Sequence, residues 1–159
     1  MNSAVQDPNL SAAEQLSDVL TARLASEYGT GTKIEGLVRL SAGASRDTWS
    51  FDAHKPDGVR QALILKRDPM DRQADKSFEG VPEGRLAVDR RTEGRLIQLA
   101  GAAGAPAPTV PFFLDAGGRT TPGFFTHRLE GETLGRRILR EDAYARARPK
   151  LAYQIGHAA

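Results

Sequence analysis

A chain of 159 residues, 40% of them hydrophobic, holds one domain with one modest core and is too short for two lobes. Its 22 Lys and Arg against 20 Asp and Glu leave a formal net charge of +2, too little for the basic field that would call for nucleic acid. There is no Cys, which excludes disulfides, thiol nucleophiles and zinc thiolates together, and His54, His127 and His157 stand too far apart for metal-ligand spacing.

The first 15 residues have no basic start and no apolar core, and no stretch approaches the roughly 18 apolar residues of a membrane span. No membrane association is expected, and the cytoplasm is the expected compartment. Residues 1–10 read as a loosely attached lead. Ser11 with Glu14 three residues later has the form of a capping box, and Leu16, Val19, Leu20 and Leu24 make one apolar face that Gly29 ends. This predicts a helix lying across a sheet.

A first strand is predicted at 34–40, then a loop of small residues, Ser41-Ala42-Gly43-Ala44-Ser45. Thr48-Trp49-Ser50-Phe51 alternates polar with aromatic, as a half-buried strand does. A turn at 54–58 uses Pro56 and Gly58, and the apolar strand Ala62-Leu63-Ile64-Leu65 ends on the charged Lys66. Residues 68–84 read as a loop. A helix follows at 85–103, with Leu86, Val88, Leu96, Leu99 and Ala100 as candidate core contacts and Glu93 at its middle. Pro106 and Pro108 make an extended connector. Strands at 110–115 and 123–129 around the turn at 116–119 complete a five-stranded antiparallel sheet. After Gly131 come helices at 133–139 and 141–159, with Pro149 either kinking the second or opening a fresh first turn. Trp49, Phe51, Phe124 and Phe125 are expected in the core, and Arg136, Arg137, Arg140 and the basic residues of 146–150 on a solvated helix face.

The order of these pieces carries a chemistry. A loop of Gly, Ala and Ser lets backbone amides and a hydroxyl approach a triphosphate without side-chain clash, and a Lys on the third strand sets a point charge against the inner phosphates. A carboxylate on the following helix is needed to hold that Lys, and Glu93 stands where one is wanted. Each residue also has a plainer reading: Lys66 as a solvated strand end, Glu93 as part of a charged helix face, Ser45 as a turn former.

With these residues in place, the chain resembles the N-terminal lobe of the aminoglycoside phosphotransferase and choline kinase-like family over residues 30–159. The matching segments are Leu40-Ser41-Ala42-Gly43-Ala44-Ser45, Leu63-Ile64-Leu65-Lys66-Arg67-Asp68-Pro69, Gly104-Ala105-Pro106-Ala107-Pro108 and Phe124-Phe125-Thr126-His127-Arg128-Leu129-Glu130-Gly131-Glu132-Thr133. The resemblance implies an α+β, protein-kinase-like N-terminal lobe. Residues 1–29 would be a lead and helix, 30–131 the nucleotide-binding lobe, and 132–159 the start of a helical second lobe. It implies ATP as cofactor, with Gly43 and Ser45 near the phosphates, Lys66 on the inner phosphates, Glu93 paired with Lys66, and the backbone of His127 and Leu129 on the adenine edge. The loop has only Gly43 where relatives often have two glycines, and His127 stands where relatives are frequently acidic.

Family chemistry also needs an Asp in a His-Gly-Asp segment to accept the acceptor's proton, a following Asn, and a further Asp for magnesium. The sequence has no Asp after Asp142 and no Asn after Asn9. The expectation is therefore a fragment without catalytic residues, whose full-length form would use Mg2+ and phosphorylate a hydroxyl of a small molecule. The lack of a second lobe predicts that the underside of the helix at 85–103 and the hinge strand are exposed. A noncatalytic remnant that binds a protein is the alternative, and a nucleic-acid binder using the C-terminal Arg residues is disfavoured by charge.

Overall fold

The computed structural model describes residues 8–40, 47–68, 88–117 and 120–158. In chain order the elements are α1 Pro8–Tyr28, β1 Lys33–Arg39, β2 Asp47–His54, β3 Arg60–Arg67, α2 Arg90–Ala102, β4 Phe113–Leu114, β5 Gly123–His127, α3 Gly135–Arg140, a 3-10 turn Asp142–Tyr144 and α4 Arg148–Ala158. The strands form one antiparallel sheet in the order β1-β2-β3-β5-β4. The expected mixed α+β fold with a five-stranded antiparallel sheet is present. The loop expected at 68–84 lies outside the described residues from 69 on, as do Leu86, Gly43 and Ser45.

Strand pairing sorts the side chains onto two faces, because neighbours in register point the same way. Trp49, Leu65 and Phe125 share one row, and Phe51 and Leu63 the next. These side chains are buried against α1, whose Leu16, Leu20 and Leu24 are at most 1% exposed, and Phe112 and Leu114 join the same cluster. At roughly 1.5–3 kcal/mol for each large apolar side chain removed from water, this layer supplies much of the folding free energy. Trp49, Phe51, Phe124 and Phe125 are all buried, as expected.

Several boundaries differ from the sequence reading. Helix α1 begins at Pro8, so Ser11 is inside the helix and not its cap; Pro is well suited to a first turn, where its missing N–H has no partner to lose. Its end is as expected: Gly29 takes φ +104° and donates its N–H to Ala25 O at 3.0 Å. Strand β1 is one residue early and carries a bulge between Glu35 and Val38, around Gly36 at φ +63°.

Helix α2 starts at Arg90 and not 85: Asp89 is extended at φ −66°, ψ 166° and its carboxylate accepts the Thr92 N–H at 2.7 Å. Its expected core contacts are not core. Val88, Leu96 and Leu99 are exposed, and Gly94 is the buried residue of the helix. The reason is steric. A methyl group built on Gly94 would lie 2.5 Å from Phe113 Cε1 and 3.0 Å from Phe124 Cγ, so the helix backbone rests on the two rings and the leucines are turned outward.

Strand β4 is only two residues long and β5 ends at His127, two residues short of the reading, although Phe112 O and Thr109 O still accept from the Phe125 and His127 N–H groups. Pro149 opens a fresh helix, α4, and Asp142–Tyr144 is a separate turn. No residue of α3, the 3-10 turn or α4 is buried, so these elements add little to the core.

Candidate functional site

The face of the sheet opposite α1 is only partly covered. Among the described residues, helix α2 sits over its β4–β5 side through Gly94, Phe113 and Phe124, and the Arg128 side chain reaches across β3 to β2, while Val38 and Leu40 on the β1 side are exposed. Register places three cross-sheet rows on this face: Thr48, Lys66 and Phe124; Ser50, Ile64 and Thr126; Asp52 and Ala62. Val38 pairs with Ser50 on the β1 side, and the Leu40 N–H bonds Thr48 O at 2.8 Å.

Lys66 is half-buried, with its Nζ 5.8 Å from the centre of the Phe124 ring. Holding an ammonium over an aromatic face stabilises it without neutralising it, so the charge stays available to an anion. Around it the face alternates apolar and hydroxyl side chains: Val38 and Leu40 are 56% and 41% exposed, while Ser50 and Thr126 are buried. An apolar strip that ends in a cation suits a flat ring carrying an anionic group. The apolar rings and methyls take the ring, and Lys66 takes the charge.

Glu93 is on α2, which covers the same face. It forms an ion pair with Arg90, one turn earlier, and Arg90 Nε also bonds Asp68 Oδ1 at 2.8 Å. The His127 N–H is committed to Thr109 O at 3.0 Å, which leaves its carbonyl as the group able to meet a ligand edge. Leu129 lies past the end of β5 and is 69% exposed. Gly43 and Ser45 lie outside the described residues.

Two features escaped the sequence reading. On the α1 side, Asp47 is 4% exposed and sits between Arg39 Nε at 2.8 Å and Arg67 Nε at 2.7 Å, so one buried carboxylate ties together the ends of β1, β2 and β3. On the open face, the Arg128 guanidinium reaches Ser50 Oγ at 2.9 Å and Asp52 Oδ1 at 2.8 Å, and Arg60 bonds the other Asp52 oxygen at 2.7 Å. Partial burial works to raise the Asp52 pKa, but the Arg60 hydrogen bond and the charges of Arg128 and Arg60 outweigh it and hold the carboxyl below its usual range. Alternating charged residues at strand ends was the available signal for both, but pairing them needs the register.

Among the described residues no group of three His, Asp or Glu side chains could hold a metal ion, and Asp52, on the open face, is occupied by two guanidiniums. The described residues thus do not fit a magnesium ion. Nor is any helix among them long and apolar enough to cross a membrane. One groove of about 560 Å³ is lined by Val88, Glu93, Leu96 and Ile97, and another of about 390 Å³ lies between residues 103–106 and Tyr153 and His157 of α4. In comparison with known proteins, the chain matches no family model, no curated protein and no solved structure.

Proposed function

We propose that this chain is the nucleotide-binding lobe of an ATP-dependent phosphotransferase with a protein-kinase-like fold, acting on a hydroxyl of a small molecule in the cytoplasm. The observation that carries the reading is Lys66: a half-buried cation at the end of an apolar strand, on an open face bordered by Val38, Leu40 and Ile64 and flanked by the helix bearing Glu93. The adenine would lie on the apolar strip, with the His127 carbonyl and the Leu129 N–H at its edge. The phosphates would reach Lys66, with Gly43 and Ser45 beside them. In this reading the Asp that accepts the hydroxyl proton, the Mg2+ ligands and the acceptor pocket would come from a second lobe.

Half a site binds weakly. Base pairing and one Lys without magnesium correspond to a Kd no tighter than roughly 1 mM, or about 4 kcal/mol. Titration of the 15N-labelled chain with ATP should shift the amides of Thr48, Lys66 and residues 127–129 together, and Lys66→Ala should weaken the response about fivefold or more. Absence of any shift at about 10 mM ATP, or binding tighter than micromolar, refutes the reading.

A second reading has its own support. Leu96, Leu99, Leu129, Leu134, Leu139, Tyr153 and Ile155 are all more than half exposed, the surface expected of a noncatalytic module that binds a protein partner. It predicts partner capture that ATP does not alter.

A further inference from the structure

We propose that Arg128 is a positioning residue for the base of a nucleotide, an inference that rests on the nucleotide reading above. Strand β5 ends at His127, and the Arg128 N–H to Ala62 O bond at 3.0 Å is the last backbone bond tying it to β3. The carbonyl of His127 and the N–H of Leu129, which would meet the base edge, thus lie where ladder pairing stops. The Arg128 side chain takes over. It crosses β3 above Ala62, the smallest side chain of its strand, and fastens on β2 through Ser50 Oγ at 2.9 Å and Asp52 Oδ1 at 2.8 Å.

The latch is itself held. Asp52 keeps its second oxygen on Arg60 at 2.7 Å, and Glu130 stands 4.0 Å from Arg128 Nε, so the charges facing the guanidinium are two carboxylates and the guanidinium of Arg60. Ser50 is buried and its hydroxyl accepts from the guanidinium, which can only donate, and the planar fork of Arg reaches two acceptors in one fixed geometry that a point-charge ammonium lacks. Residues 127–129 are thereby set at one distance from Val38 and Ile64, which fixes the gap between the edge and the apolar strip. Lys66, two rows away in register, is not part of the latch.

This makes a separable prediction. The latch governs the base and leaves the phosphates alone. Wild type, Arg128→Gln, Arg128→Lys and Asp52→Asn should be titrated with ATP and with inorganic tripolyphosphate, each variant first checked as folded by its amide spectrum. Arg128→Gln and Asp52→Asn should lose about three- to tenfold in ATP affinity and less than twofold for tripolyphosphate, with Arg128→Lys losing ATP affinity to an intermediate degree. A purely structural brace would lower the melting temperature and leave the ratio of the two affinities unchanged. Folded variants that keep the wild-type ratio overturn the inference while sparing the nucleotide reading; wild type that binds neither ligand overturns that reading and the inference with it.

Discussion

Gly94 occupies a position where a methyl group has no room. Phe124 is fully buried and its Cγ, close to the backbone, has no freedom to retreat, while Phe113 is boxed in by the guanidiniums of Arg95 at 4.8 Å and Arg91 at 5.7 Å from its centre. Helix propensity alone would favour Gly94→Ala by up to about 1 kcal/mol. Overpacking against two rings costs about 1–3 kcal/mol and wins, so Gly94→Ala should lower stability in urea unfolding, with the largest amide shifts in α2 and at Phe113 and Phe124. An unchanged or raised midpoint would show that α2 slides freely on the sheet. Gly94 was visible in the sequence only as a helix-weakening residue, since the two rings it meets are 19 and 30 positions away in the chain. Lys66 was easier to find, because a charge closing an apolar strand is a local pattern. The Arg39–Asp47 and Arg128 bonds were out of reach: a one-residue bulge between Glu35 and Val38 decides which β1 side chains share a face with which β2 side chains, and Arg128 meets Ser50 and Asp52, 78 and 76 positions earlier, only through the β2–β3–β5 pairing.

At the scale of elements, the same contrast separates the strands and α1 from α2. Strands β1 to β3 fall within three residues of their sequence-read ends, since alternation and the turn at Pro56 and Gly58 are local signals. The start of α2 depends on one carboxylate. The backbone N–H of Thr92 holds the Asp89 carboxyl below its usual pKa, Asp52 is likewise held low by its net balance of burial against Arg60 and Arg128, and burial followed by the charge of Glu27 pushes the Tyr28 hydroxyl up. The signs differ. A lowered carboxyl pKa stabilises the fold above the unfolded value of about 3.9 and loses that contribution as pH falls through the folded value; a raised Tyr pKa gives stability that is full below about 10 and is lost as pH rises past it. Stability in urea should therefore be flat from about pH 5 to 9 and fall on both sides. Asp89→Asn, which keeps a good cap without the charge, should flatten part of the acid limb with little change at pH 7, and Tyr28→Phe should flatten the alkaline limb while keeping the edge-on ring contact to Phe112 at 5.6 Å. An acid limb identical in Asp89→Asn and wild type would mean that the cap carboxylate is not engaged in solution.

Across the whole molecule, burial is divided unevenly between the two ends. Leu16, Leu20 and Leu24 of α1 are sealed against Trp49, Phe51, Leu63, Leu65 and Phe125, whereas α3, the 3-10 turn and α4 bury no residue at all. Three leucines at roughly 1.5–3 kcal/mol each approach the entire net stability of a domain this size, about 5–15 kcal/mol. Removing α1 should leave the sheet with one bare apolar face and unable to stay folded, so a chain starting at Thr30 is expected in the insoluble fraction. Removing 132–159 should do the opposite. It takes away Leu134, Leu139, Tyr153 and Ile155, all exposed, together with six of the 22 basic residues, and leaves the α1 layer intact. The shortened chain should melt cooperatively within a few degrees of the full one and bind less of a hydrophobic dye such as ANS. A large loss of cooperativity on removing 132–159 would show that the C-terminal helices brace the sheet through contacts their exposure does not reveal, and would make the open face around Lys66 dependent on them.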